Sequence, residues 1–135
     1  MRHLLVLPFA AIALAACAAP PGPGLHGSRA FALEPGASVE LASGTTLRFD
    51  AAEDSRCPPG VACVWAGKLT CRFSLLRGGA TLEAFALAPG DTGHATVLLD
   101  GARLALDEST LPPPATPGAI ANHRVTVKLL PRPSP

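Results

Sequence analysis

Cysteines carry the most evident chemistry in this sequence. Cys57 and Cys63 enclose Pro-Pro-Gly-Val-Ala, a segment that has to bend, and Cys71 lies eight residues after Cys63. On one straight strand, Cys63 and Cys71 would be about 26 Å apart at ~3.3 Å per residue, well beyond the roughly 4.4–6.8 Å between disulfide-bonded Cα atoms. We therefore expect a Cys57–Cys63 disulfide, with Cys57–Cys71 as the alternative. The five-residue spacing lacks the two-residue gap and helix N-terminus of redox-active pairs, so the expected bond is structural.

Three polar residues precede the first of these cysteines. Asp54 and Arg56 can form an ion pair or cap backbone N–H groups, which would make the segment a rigid corner. Alternatively, Asp54, Ser55 and Arg56 form a recognition loop that a stiff scaffold displays. Both interpretations are open at this point.

The segment from Asp54 to Gly67 reads D-S-R-C-P-P-G-V-A-C-V-W-A-G. It resembles a family of small bacterial secreted proteins and lipoproteins that share the pattern D-S-R-C-P-x-x-V-x-C-x-W-A-G. The resemblance covers these 14 residues and, outside them, only a similar layout with a preceding strand and β-rich flanks. It implies a β-rich secreted domain and brings no established activity. Cys71 is not part of the pattern, which agrees with an unpaired thiol.

Other candidate ligands and catalytic groups are dispersed along the chain. Asp50, Glu53 and Asp54 fall within five residues, but their spacing matches no known calcium loop. His94 and His123 stand alone, whereas zinc and copper ligands cluster. We expect no metal and no other cofactor, and a metal-binding protein that uses these residues is the alternative.

Enzymatic and nucleic-acid-binding patterns are not evident. The sequence has no G-x-S-x-G elbow, no base near Ser55, and no phosphate-binding glycine pattern. Aromatic residues make up 4% of the chain, with no tyrosine, so a stacking platform for single strands is not expected. We therefore expect no catalytic residues and no nucleic-acid partner. A small hydrolase that combines Ser55 with a distant histidine is the third hypothesis.

The first residues have the pattern of a lipoprotein leader. A short basic start is followed by the apolar run 4–14, which is too short to span a bilayer and matches the middle of a secretory signal. Leu14-Ala15-Ala16-Cys17 fits the lipobox, in which the cysteine thiol receives a diacylglyceryl group before cleavage. We expect residues 1–16 to be removed and Cys17 to carry the lipid anchor, since two or more acyl chains hold a protein stably on a membrane.

Sorting and charge complete the predicted location. Ala18 is not the aspartate that bacterial sorting rules associate with inner-membrane retention, which favours the outer membrane, with the domain facing the periplasm. Cleavage would remove one charged residue, Arg2, and leave ten basic against ten acidic side chains. A neutral mature chain indicates neither a nucleic-acid nor a polycation partner.

The remaining sequence divides into a tether, one domain and a tail. Residues 17–29 comprise the lipidated cysteine and a Pro-, Gly- and Ala-rich tether, and residues 131–135 form a Pro-rich tail. Residues 30–130 show short apolar–polar alternations separated by turn dipeptides, the pattern of strands.

The clearest alternation runs from Cys63 to Leu75, and it predicts one long strand with Trp65 as the core aromatic residue. Asp50 is expected to end an earlier strand. Asp100-Gly101, between 96–99 and 102–106, is the strongest hairpin signal. Seven or eight strands in about 100 residues predict an all-β fold, a small antiparallel β-sandwich with an immunoglobulin-like general shape. A small β-barrel is the alternative.

These expectations converge on a lipid-anchored lipoprotein of the cell envelope. Its domain would be a non-enzymatic binding or structural β module, attached to the membrane through lipid on Cys17. A protein, a peptide or a glycan would be its partner.

Overall fold

The structure, a computed structural model, describes residues 28–42 and 44–135. The expected signal peptide, Cys17 and the tether as far as residue 27 lie outside the described residues. Among the residues that the structure describes, no helix is long and apolar enough to cross a membrane.

Strands make up almost all of the regular structure. Their bounds are β1 (Arg29–Leu33), β2 (Ser38–Ala42), β3 (Thr45–Asp54), β4 (Leu69–Arg77), β5 (Ala80–Leu87), β6 (His94–Ala95), β7 (Arg103–Leu106) and β8 (Val125–Leu130), with single-turn 3₁₀ helices η1 (Val97–Leu99) and η2 (Glu108–Thr110). The alternating sequence forms strands because a period of two places one set of side chains on each face.

The strands form two four-stranded antiparallel sheets. One sheet has the order β1-β8-β7-β6 and the other β2-β3-β4-β5. Neither sheet closes on itself, so the prediction of a small β-sandwich is confirmed and the alternative of a small barrel is wrong.

The core lies between the two sheets and is built from alternate strand positions. Phe49 and Phe73 stack at its centre, with ring centroids 4.8 Å apart. The buried apolar residues are Leu33, Leu41, Leu47, Phe49, Leu69, Cys71, Phe73, Leu75, Leu87, Leu99, Ala102, Leu104, Leu106, Val125, Val127 and Leu129. The predicted inward faces of β8 and of the second half of the Cys63–Leu75 alternation are therefore confirmed.

The connections between strands gather at two opposite ends of the sandwich. We call the end at which β1 begins the base; there Arg29 pairs with Leu129 near the end of β8. The β6–β7 connection lies at the same end, because Arg103 at the start of β7 pairs with Leu130. We call the opposite end the tip, and it contains segments 34–37, 55–68, 88–93 and 107–124. Chain that enters at Arg29 therefore meets the domain at the end farthest from the tip.

The expected long strand from Cys63 to Leu75 is wrong in its first half. β4 begins at Leu69, and Gly67 just before it has φ 68°. That positive φ interrupts an extended chain although the apolar–polar alternation in the sequence continues through it.

Two further expectations also need correction. β3 does not end at Asp50 but passes through a β-bulge between Phe49 and Ala51 and continues to Asp54. Asp100 and Gly101 turn as expected, with φ 55° and 80°. The residues before them form η1 rather than a strand, because Thr96 Oγ1 accepts a hydrogen bond from Leu98 N and caps a helical turn.

Candidate functional site

The connection between β3 and β4, residues 55–68, is the segment that contains the paired cysteines; we call it the tip loop. Cys57 and Cys63 form a disulfide with Cα atoms 5.9 Å apart. The expected pairing is thus confirmed, and the Cys57–Cys71 alternative is wrong. Cys71 is a free thiol buried in the core, and burial, only partly offset by the nearby positive charge of Arg56, raises its pKa to about 11.

Ser55 and Lys68 close the tip loop where it leaves the sheet, a point we call the neck. Ser55 N donates to Lys68 O at 2.9 Å. Ser55 Oγ donates to the same carbonyl at 3.1 Å and accepts from Lys68 N at 3.0 Å. One step further out, Cys57 N donates to Ala66 O at 2.9 Å. The two arms of the loop therefore run side by side from the sheet to the disulfide.

Gly67 allows the two arms to approach at the neck. A Cβ atom at this position would lie 1.7 Å from the carbonyl oxygen of Ser55. Only a residue without a side chain fits there, which explains the glycine at the end of the motif in packing terms.

Asp54 and Arg56 fix the neck to a neighbouring tip segment. Arg56 Nε and Nη2 donate to the two carboxylate oxygens of Asp54 at 2.8 and 2.7 Å, and Arg56 N donates to Asp54 Oδ1 at 3.1 Å. Arg56 Nη1 also donates to Pro112 O at 3.0 Å. The hydrogen bonds from Arg56 outweigh the effect of burial and hold the pKa of Asp54 below its ordinary value. Both the ion pair and the backbone cap that the sequence suggested are present.

His123, in the same tip segment as Pro112, lies against this ion pair. Its Nε2 atom is 4.0 Å from Asp54 Oδ2 and is buried without a hydrogen-bond partner in the described residues. The three residues predicted as a possible recognition loop, Asp54, Ser55 and Arg56, thus make their contacts with neighbouring parts of the same chain.

The outer part of the tip loop, beyond the neck, is apolar and exposed. Val64 is 92% exposed, Trp65 is 78% exposed and Val61 is 40% exposed. The prediction that Trp65 fills the core is wrong, because the two arms held together at the neck carry Trp65 away from the sheets. Phe49 and Phe73 occupy the place expected for it. Sequence reasoning missed this apolar surface because it read Trp65 as part of a strand; Gly67 and the short disulfide spacing were the signals against that reading.

The carboxylates considered as calcium ligands are each engaged by a different arginine. Asp50 pairs with Arg48, and Glu53 pairs with Arg72 at 3.0 Å. Asp54 is held by Arg56, as described above. The three side chains therefore do not converge on a common point.

His94 takes part in a polar contact that joins the edges of the two sheets. Its Nε2 atom lies 2.6 Å from Glu83 Oε1, Thr96 Oγ1 donates to Glu83 Oε2 at 2.6 Å, and the imidazole stacks on Phe85 at 4.2 Å. Burial alone would raise the pKa of Glu83, but the hydrogen bonds from Thr96 and His94 outweigh it and hold that pKa below its ordinary value. The contact links β5 to β6 and thus closes one side of the sandwich.

The positions of these side chains bear on two kinds of chemistry, metal binding and nucleophilic attack. In the described residues, no group of three or more histidine, cysteine, aspartate or glutamate side chains could hold a metal ion. The Ser55 hydroxyl is engaged with the backbone of Lys68 on both its donor and its acceptor side.

Comparison of the chain with protein-family models, with curated proteins and with solved structures finds no match.

Proposed function

We propose that this chain is a lipid-anchored, non-enzymatic binding module of the bacterial cell envelope, and that the outer part of the tip loop is its binding surface. Cys17 would carry the anchor, and the outer membrane is the proposed location, with the domain in the periplasm.

The observation that carries this proposal is the exposure of Trp65 and Val64 at the outer end of a braced loop. Covering Trp65 alone is worth about 4 kcal/mol at roughly 25 cal/mol per Å² of apolar surface. The disulfide and the Ser55–Lys68 bonds hold the loop in one shape. Such a loop loses little conformational entropy when it binds, so most of that free energy is available for affinity. Exposed tryptophans of this kind dominate many binding surfaces.

The contacts of the polar side chains support a non-enzymatic role. Ser55, His94 and the Asp54–Arg56 pair are engaged in contacts that hold the chain together. A general acid or base has to come within hydrogen-bond reach of a substrate atom, whereas these groups make their hydrogen bonds within the chain.

A crosslinking experiment in intact cells tests the binding surface. A photo-crosslinking amino acid in place of Val64 should form specific adducts. The same amino acid in place of Val97, an equally apolar residue that is 88% exposed at the base, should not. Equal yields at the two positions would mean that the tip loop has no special role.

The anchor is tested separately by mass. The mature protein from native membranes should begin at a diacylated Cys17, and Cys17→Ser should release the chain from the membrane fraction. An unlipidated chain that starts elsewhere would remove the anchor from the proposal.

A further inference from the structure

The outer part of the tip loop is poor in hydrogen-bonding and charged side chains. From Cys57 to Gly67 the sequence reads C-P-P-G-V-A-C-V-W-A-G, in which the indole N–H of Trp65 is the only strong side-chain donor and there is no charge. Val61, Val64 and Trp65 are all exposed there. The geometry points to the interfacial region of a lipid bilayer as the partner of this surface, a deepening that rests on the proposed binding role of the tip loop.

Hydrogen-bonding capacity separates a bilayer from the other partner classes. Protein interfaces carry about one hydrogen bond per 100–200 Å², and a sugar site needs polar side chains around its aromatic platform. The segment between Cys57 and Gly67 supplies almost none of these groups. A bilayer interface needs none from it: tryptophan is enriched at that depth, with its ring in the acyl boundary and its N–H toward the headgroups.

Charge at the neck fits the same partner. The segment is flanked by Arg56 and Lys68, and the ion pairs found among the described residues do not include Lys68, whose side chain is exposed. An anionic headgroup next to a cation at the surface contributes about 1 kcal/mol. The acidic residues Glu53 and Glu34 of the neighbouring segments face Arg72 and Arg124 at 3.0 and 3.7 Å. Among the described residues, Lys68 is therefore a cation without a carboxylate partner beside the apolar surface, whereas Asp91 and Glu108 of the nearby tip segments accept hydrogen bonds from the backbone N–H groups of Ala88 and Gly90.

Chain length allows the tip loop to reach the membrane that would hold the anchor. Eleven residues, 18–28, separate Cys17 from the start of β1. At 3.3–3.6 Å per residue they extend to roughly 36–40 Å at most. The ten residues of β3, which run most of the way from base to tip, span about 33 Å. A tilted domain can therefore place the tip loop on the same leaflet and still remain attached at its base.

Fluorescence measures this contact directly, because Trp65 is the only tryptophan in the chain. The mature chain, residues 17–135 with Cys17→Ser, is mixed with phosphatidylethanolamine–phosphatidylglycerol vesicles. We expect a blue shift of the Trp65 emission, weaker quenching by acrylamide, and strong quenching by lipids brominated on the acyl chain.

Three variants locate the contact and keep the reporter. Val64→Asp should weaken partitioning about tenfold or more, since it replaces an apolar side chain that would enter the bilayer with a charged one. Val97→Asp, the matched change at the base, should leave partitioning unchanged. Lys68→Gln should weaken binding to anionic vesicles about fivefold and leave binding to purely zwitterionic vesicles unchanged. Far-UV circular dichroism checks that each variant is folded.

Each result bears on the inference. An emission spectrum unmoved by vesicles overturns it, and so does an equal loss for Val64→Asp and Val97→Asp, which would indicate non-specific adsorption. If vesicles have no effect but the crosslinker at position 64 captures a protein in cells, the bilayer is wrong as a partner and the proposed binding role stands. If neither vesicles nor crosslinking report on the tip loop, both proposals fail.

Discussion

Gly67→Ala, compared with Gly60→Ala, tests whether the neck depends on close backbone approach. Both glycines lie in the tip loop at positive φ, 68° and 75°. An added Cβ at Gly60 meets nothing within 4 Å, whereas at Gly67 it would lie 1.7 Å from Ser55 O. The pair therefore shares the conformational strain and differs in the clash.

The magnitudes follow from the contacts. A non-glycine residue in the left-handed region costs about 1–2 kcal/mol, which is the whole effect expected for Gly60→Ala. Gly67→Ala must also displace the Ser55 carbonyl and weaken the hydrogen bonds between Ser55 and Lys68. At about 0.5–1.5 kcal/mol each, their loss adds about 2–4 kcal/mol. That is a large part of the ~5–15 kcal/mol by which small domains are stable.

Urea unfolding followed by far-UV circular dichroism measures the difference. Trp65 fluorescence is a poor reporter of global unfolding here, because Trp65 is exposed in the folded protein. Gly67→Ala should lower the free energy of unfolding by at least about 2 kcal/mol more than Gly60→Ala. Equal values for the two variants would show that the close approach at the neck does not contribute to stability.

Three further predictions concern the ion pair, the free thiol and a sheet edge. Asp54 has a lowered pKa, so its contribution to stability is present above its ordinary pKa of 3.8 and is lost as the pH falls through the lowered value. In Asp54→Asn the free energy of unfolding should therefore depend less steeply on pH in that window. An unchanged pH dependence would contradict this. The Cys71 thiol, buried and with a pKa raised to about 11, should resist iodoacetamide at pH 8 until urea unfolds the chain, and intact mass would reveal any labelling of the native protein. β5 is an eight-residue edge strand on which Leu82 is 49% exposed. Leu82→Lys should slow aggregation in light-scattering assays and leave the free energy of unfolding unchanged, because charge on an edge strand opposes the addition of another strand. Equal aggregation rates would rule out this edge as the site of self-association.

Alternating patterns predicted the sheets well because alternation is a direct consequence of burying one face of a strand. Val125, Val127 and Leu129 alternate in the sequence and all point into the core. The same rule failed in residues 63–68, before β4 begins at Leu69, because the alternation extends by chance into a segment that is not a strand. Periodicity reports which side of a strand a residue would occupy, but not whether the strand is there.

The disulfide was predicted correctly from the bend between Cys57 and Cys63, although the straight strand assumed from Cys63 to Cys71 does not form. Five residues lie between Cys57 and Cys63 in a segment that must bend, whereas the strand that contains Cys71 keeps that thiol in the core. The Ser55–Lys68 closure and the Arg56–Pro112 bond were not predictable in this way. They depend on how the neck meets strand β4 and the β7–β8 connection, which only the folded sandwich brings together.

The tip loop consists of a polar neck and an apolar outer part, and this division explains where the apolar surface lies. The side chains of Ser55 and Arg56 find partners at the neck, because the start of β4 and the segment containing Pro112 bring backbone carbonyl groups close to them. The outer part has no such surroundings. Two arms joined by a disulfide offer few atoms to pack against an indole, and Trp65 is 78% exposed. The charged residues Asp54 and Arg56, which the sequence offered for recognition, brace the loop. The large apolar residues Val64 and Trp65 stay exposed because the loop is too small to cover them.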